Sequence, residues 1–569
     1  MVKFTFSIEL ATQNYLHIVA TFPTEKEFTE IQLPAWRPGR YELGNFAKNV
    51  RNFKVYDAEN KSLKAEKISK DRWRIATSKT KTIRIEYLYY ANELNAGSTF
   101  VGPELLYVNP VNCCVYTDAT FQSEVELSLE IPSSWEVASS LTKIEDAWCV
   151  ENFEELFDTP FIASGNLQHG SYEVNSTLFH VWFNGECKPD WEKVLRDFRA
   201  FTEAQIKKFN EFPAREYHFL NHIVPYKAYH GVEHLKSTVV LLGPTYDVFG
   251  ELYKELLGVS SHELYHAWNV KSIRPIELHP YDYTQENYSR LGYLCEGVTT
   301  YEGDHFLLKS GVFTEVQYFN EFNGLLQKHF DNPGRFNYSV ADSSFDTWLD
   351  GYVPGAPARK VSIYTEGALL AFVTDVRIRR ASANKYGLDE VMKRLYFNFA
   401  LQGKGVSAED YQRVVEEVAG TSFEEFFAAY VFGHDPYESI ITDALDYLGL
   451  EMHHRPSESY AEGRLGMKTV LSTRNFKITA LYPGGPAETA GLTIGDEIAV
   501  INGSLCNGEL DKWLLYYDAD PKNLTVVRDG MVRNVLLPEV NRNFYMKYEV
   551  RKLKDPNGPQ KSAYEAWKK

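Results

Sequence analysis

The spacing of apolar residues changes twice along the 569-residue chain, and no single kind of layer satisfies all three patterns. Up to about Gln168 apolar and polar residues alternate, as in residues 3–10, 82–87 and 125–131, which predicts half-buried strands. Pro38-Gly39 and Pro132-Ser133 punctuate the alternation, so residues 1–168 read as a β-sandwich-like domain. A mixed stretch follows, with a helix near residues 191–209 and a strand over 216–224. From about Tyr246 to Leu448 helical spacing dominates, and helices are expected over 252–270, 294–309, 315–330, 365–380 and 422–431. Residues 169–448 therefore read as one mainly helical domain backed by a small sheet. Short strands and glycine turns return over 449–543. A polar tail, 544–569, ends the chain, and its Tyr564 and Trp567 are expected to dock back. One core does not grow to this length. The fold class is multidomain α+β.

Composition narrows the partners. A formal charge of −17 argues against nucleic acid and against an anionic membrane, both of which reward basic patches. No run approaches the eighteen or so apolar residues of a membrane span. The chain opens on strand-like alternation where a signal peptide would carry an apolar block, and the expected location is cytoplasmic. The six cysteines form no metal spacing, and a disulfide framework is not expected.

The chemistry-bearing motif is His262-Glu263-Leu264-Tyr265-His266. Histidines four apart on a helix share one face and can reach one metal ion, while the intervening Glu263 points at a metal-bound water. Shuffling would produce H-E-x-x-H in about three chains per hundred of this composition, so context has to support it. A catalytic zinc usually takes three protein ligands. The best third candidate is Glu296, in Leu294-Cys295-Glu296-Gly297-Val298-Thr299-Thr300-Tyr301. Read alone, a Glu at a helix start is ambiguous, because the helix dipole favours it anyway.

Residues 262–275, H-E-L-Y-H-A-W-N-V-K-S-I-R-P, resemble the glycyl aminopeptidase family, relatives of aminopeptidase N among the gluzincin metallopeptidases. E-G-x-x-x-Y at Glu296 resembles their third-ligand segment. The resemblance implies a thermolysin-like catalytic domain holding one zinc ion (Zn2+) on His262, His266 and Glu296, with Glu263 as general base. Gly231-Val232-Glu233-His234 resembles the family's G-x-x-E-H motif, whose glutamate would hold a substrate's free α-amino group. His230 stands where another glycine is expected. Tyr364-Thr365-Glu366-Gly367 resembles the Y-x-K-G stretch that aims a tyrosine at the oxyanion, with Glu366 in place of lysine. Asn269 and Arg274 are expected to brace the helix end, and Thr300 is a candidate partner for the ligand shell or an ordinary packing residue. Residues 33–41, L-P-A-W-R-P-G-R-Y, are similar to a family motif whose chemistry is open: the N-terminal domain narrows the cleft or serves structure alone.

Residues 478–503 resemble a PDZ domain, with Gly485-Pro486-Ala487 and Gly495-Asp496 at its turns. Arg464-Leu465-Gly466-Met467 falls where that family binds a peptide carboxylate. The PDZ domain would capture a peptide C-terminus or serve structure only. Family resemblance thus implies a zinc aminopeptidase acting on peptides with a free N-terminus, preferring Gly or Ala there. Two alternatives remain at this stage: a PDZ-gated zinc endopeptidase, and a non-catalytic PDZ binding protein on a peptidase fold.

Overall fold

Alternation at the N-terminus forms the strand Val2–Ser7, which buries Val2, Phe4 and Phe6. It ends three residues before Leu10, although the alternation runs on to that residue. Ala11 N–H bonds the Ile8 carbonyl and Tyr15 N–H that of Leu10, so residues 8–15 close a turn. The computed structural model describes residues 1–353, 355–539 and 541–569. It divides into two units, one of Met1–Tyr318, Pro333–Leu448 and Gly558–Lys569, the other of Phe319–Asn332 and Gly449–Asn557.

In the first unit the N-terminal part is β-rich. Val2–Ser7 lies inside an eight-stranded sheet, parallel to Val125–Glu130 and antiparallel to Tyr15–Pro23. A four-stranded sheet that includes Leu105–Val108 and Phe161–Ser164 shares its core. The rings of Phe6 and Phe161 meet edge to face at 5.8 Å.

A five-stranded sheet follows, in the order Gln168–Val174, Thr177–Asn184, Glu216–Ile223, Ser237–Gly243, Ala228–Glu233. The helix Trp191–Phe209 forms where its spacing predicts. The Asp190 carboxylate caps its first turn, and it buries Val194, Phe198, Phe201, Ile206 and Phe209 along one face.

The remainder of this unit is helical, and the helices differ from expectation at their ends. The helix expected over 252–270 is Tyr253–Tyr265. Beyond it the N–H groups reach back unevenly, Ala267 to Leu264, Lys271 to His266 and Ile273 to Trp268. In the same stretch the Asn269 carbonyl accepts from His266 Nδ1 at 2.6 Å. The segment 294–309 is a wide π-type turn, Tyr293–Val298, running into the α-helix Thr299–Lys309. Segment 422–431 likewise splits into Glu424–Phe426 and a wide turn Phe427–Val431. Segment 365–380 is the helix Ile363–Ala381, capped by Ser362. The tail helix Gly558–Lys568 docks here through Tyr564 and Trp567. Trp567 Nε1–H donates to the Tyr301 hydroxyl at 2.9 Å, which donates to Asp375 at 2.7 Å.

In the second unit, antiparallel strands including Met467–Ser472, Asn475–Leu481, Glu497–Ile501 and Lys522–Arg528 enclose Met467, Ile478, Ile498, Leu514 and Val526. Leu450–Pro456 pairs with Met546–Lys552, so the polar tail contains a strand. Its exposed alternation is too short to stand out in sequence. Among the described residues no helix is long and apolar enough to cross a membrane.

One contact sets the spacing of the helical part. A Cβ on Gly297 would lie 2.3 Å from Gly367 Cα, so the wide turn and the helix Ile363–Ala381 touch backbone to backbone. Gly297→Ala is expected to push them apart at an overpacking cost of about 1–3 kcal/mol. A lower urea midpoint checks this; an unchanged one would show that the two segments separate freely.

Candidate active site

His262 and His266 project from the C-terminal end of the helix Tyr253–Tyr265, four residues apart, and their Nε2 atoms lie 3.0 Å from each other. Glu296, on the wide turn, brings Oε2 to 3.4 Å from His266 Nε2 and 3.9 Å from His262 Nε2. A tetrahedral zinc with Zn–N of about 2.0–2.1 Å places its ligand atoms about 3.4 Å apart. The three observed separations bracket that value. His266 has the right face turned inward, since Nδ1–H donates to the Asn269 carbonyl and leaves Nε2 for a cation. Burial lowers the basicity of His266, but the Glu296 carboxylate outweighs it and pushes the imidazole up to about 9. A proton or a metal ion can supply the positive charge that Glu296 holds there.

Glu263, between the two histidines, is buried. Burial pushes its carboxyl well up, against the pull of His266, and the charges of Glu233 and Glu296 add to the rise. Its Oε2 has no hydrogen-bond partner among the described residues. The carboxylate packs on the strand Ala228–Glu233 at Gly231, where a Cβ would meet Glu263 Oε1 at 2.2 Å. Glu233, two residues on and facing the same way, offers an oxygen within 4.8 Å of Glu263 and His266 ligand atoms. Val232, expected at the substrate, points its side chain the other way, into an apolar cluster with Leu220 and Val239. Strand alternation requires this, so only its backbone can face the cleft. His230 is pushed down to about 4 by burial and by the Arg37 and Arg40 guanidinium groups, and stays neutral.

Tyr364 opens the helix Ile363–Ala381 and is 37% exposed, within electrostatic range of Glu296, Glu233 and Glu263. Thr300 makes no hydrogen bond to the histidines among the described residues. The residue before it does: Thr299 Oγ1 bonds back to the Cys295 carbonyl at 2.7 Å and lies 3.5 Å from His266 Nδ1. The Asn269 side chain donates to the Leu294 and Cys295 carbonyls, tying the His segment to the turn that carries Glu296.

Another group with metal-ligating side chains, His180, Glu216 and His218, sits on the five-stranded sheet. Its geometry does not suit an ion. The rings of His180 and His218 stack 4.4 Å apart at 18°, so no point close to both rings lies in both ring planes. Trp182 Nε1–H donates to His218 Nδ1 at 3.2 Å, which keeps the imidazole's own proton on Nε2.

Residues 3–165 match the Peptidase M61 N-terminal domain, and residues 255–370 match M61 glycyl aminopeptidase. The two matches lie in separate parts of the chain. Its enzyme class is peptide hydrolase. An aminopeptidase N family protein from Idiomarina loihiensis has the same fold, with 24% identity, 100% of each chain covered and a TM-score of 0.92. An M1 zinc metallopeptidase from Deinococcus radiodurans is more distant, with 13% identity over 76% of this chain and 93% of that one, and a TM-score of 0.45. A comparison with curated proteins found no match.

The β-rich N-terminal part reaches the segment after His266 through a residue that sequence reasoning passed over. Asp158 receives Lys271 at 2.7 Å and Leu235 N–H at 2.9 Å, and its carboxylate lies 3.0 Å from His234 Nδ1. Lys271 belongs to the W-N-V-K run and His234 follows Glu233, so one carboxylate fixes both motifs. Arg274 adds a second tie, to Glu154 at 2.9 Å. Burial raises the Asp158 carboxyl, but the Lys271 ammonium and His234 outweigh it and hold the group well below the usual carboxylate range. No sequence signal marks Asp158 apart from other acidic residues.

A depressed folded-state pKa gives stability that is complete above the unfolded value, about 3.9, and is lost as pH falls through the lower folded value. Asp158→Asn leaves Lys271 buried without its partner and is expected to cost about 3–5 kcal/mol at neutral pH. In urea melts the gap from wild type should persist to about pH 4 and shrink below it; a gap independent of pH would contradict this ionic role.

Proposed function

We propose that the protein is a zinc aminopeptidase that removes one residue from the free N-terminus of a peptide, with Gly or Ala preferred. One observation carries this reading. The group His262, His266, Glu296 and the group Glu233, Glu263, His266 each bring their ligand atoms within 4.8 Å, and they share His266. An amino nitrogen and the carbonyl carbon of the same residue are about 2.5 Å apart by backbone geometry. An ammonium held by Glu233 therefore brings the first carbonyl, and no later one, to the metal ligands. Matching of residues 255–370 to glycyl aminopeptidase supports the small first residue.

His262, His266 and Glu296 would hold the zinc ion. Bound there, zinc supplies Lewis acidity towards the attacking water and the scissile carbonyl. Glu263, with its unpartnered Oε2, takes the proton of that water and passes it to the leaving amine. Tyr364 donates its phenol hydrogen to the developing oxyanion, where the bond strengthens as charge builds. Glu233 pairs with the α-ammonium, which would be costly to bury alone.

Residues 449–543 we read as a PDZ-type domain. A Cβ on Gly466 would lie 3.3 Å from the Phe544 ring, and Phe544 N–H bonds the Gly463 carbonyl at 3.0 Å. The chain's own Phe544 thus packs beside Gly466, in the loop that would take a peptide carboxylate. This supports a structural role over peptide capture.

Free and N-acetylated glycyl-4-nitroanilide, with and without chelator, test the reading. Only the free substrate is expected to turn over, and only with metal. Glu263→Gln should keep its zinc and lose about 10²–10⁴-fold in kcat. Cleavage of an N-blocked peptide at an internal bond would favour an endopeptidase instead.

A further inference from the structure

The motif at residues 33–41 has no part in the reading above, yet its last residue reaches the candidate metal ligands. The Tyr41 hydroxyl donates to Glu296 Oε1 at 3.4 Å, while Oε2 faces the two histidines at 3.4 and 3.9 Å. One carboxylate is thereby divided between the catalytic segment and the M61 N-terminal domain. Tyr41 is itself held on several sides. Its N–H donates to the Tyr352 hydroxyl at 3.1 Å, and its ring meets Trp348 edge-on at 6.0 Å. The Arg40 guanidinium lies 3.8 Å over the Tyr352 ring. Trp36 closes the loop by donating its indole N–H to the Arg40 carbonyl, and packs on Trp348 at 5.2 Å and Tyr281 at 5.7 Å. Two residues before Tyr41, Gly39 has φ +78° and no room for a Cβ, since Glu233 Oε2 would lie 2.6 Å from it. A single loop touches both the third ligand and the residue proposed to hold the amino group.

We propose that Tyr41 is a positioning residue for the third metal ligand, its hydroxyl occupying Glu296 Oε1 so that Oε2 alone is presented to zinc. The inference rests on the zinc reading of His262, His266 and Glu296. Hydrogen bonds to a ligating carboxylate typically govern 10–100-fold in metal affinity. At 3.4 Å this one is longer than the usual 2.7–2.8 Å of O–H···O. The expected effect is therefore at the low end, about tenfold.

Tyr41→Phe tests it, because the ring and its packing stay and only the hydroxyl leaves. Zinc affinity is measured by chelator competition, together with kcat and KM at saturating zinc and the melting temperature of the metal-free protein. Expected are about tenfold weaker zinc binding and an unchanged melting temperature. Wild-type zinc affinity in Tyr41→Phe, with zinc lost in Glu296→Ala, overturns the proposal and leaves the zinc reading intact. Reduced kcat at unchanged affinity also overturns it. Full zinc affinity in Glu296→Ala overturns the ligand assignment itself, and the proposal with it.

Discussion

Everything at the candidate site hangs on the convergence of the Glu296 carboxylate with two imidazoles carried by a different helix. Three groups so close are unfavourable without a shared positive charge, and the separations of 3.0, 3.4 and 3.9 Å suit one tetrahedral cation. The fold enforces the approach in two ways. Gly297 and Gly367 let the Glu296 turn and the Tyr364 helix touch backbone to backbone. The Asn269 side chain then ties the His segment to the same turn. The wide turn at Tyr293–Val298 and the uneven bonding after Tyr265 are the local departures that this arrangement requires. Both lie beside the site, as strained or irregular helix segments often do.

The N-terminal domain is part of this construction. Asp158 fixes Lys271 and His234, Arg274 pairs with Glu154, and the loop ending at Tyr41 reaches Glu296. These contacts are mostly ionic or hydrogen-bonded, and where they are buried, as at Lys271, removal of one partner costs more than the pair contributes. They specify position more than they add stability.

Much of this was legible in sequence because it is periodic. Alternation found Val2–Ser7, helical spacing found Trp191–Phe209, and a four-residue repeat paired His262 with His266. Glycines in E-G and Y-T-E-G were visible, although only the structure shows that they meet. Contacts between distant segments were not legible, since nothing in the residues around Asp158 records Lys271, and Tyr41 sat in a motif without a stated role. Val232 lies within the motif that holds Glu233, but a strand turns alternate residues to opposite faces, so its side chain joins an apolar cluster. Thr299, which the sequence did not single out, carries the hydroxyl that bonds back to Cys295 and lies near His266.

The central claim is that His262, His266 and Glu296 hold one metal ion. Diffraction from zinc-loaded crystals above and below the zinc absorption edge tests it most directly. The account predicts one anomalous peak within bonding distance of His262 Nε2, His266 Nε2 and the Glu296 carboxylate. A peak at His180 and His218 instead, or none between the two helices, would contradict it.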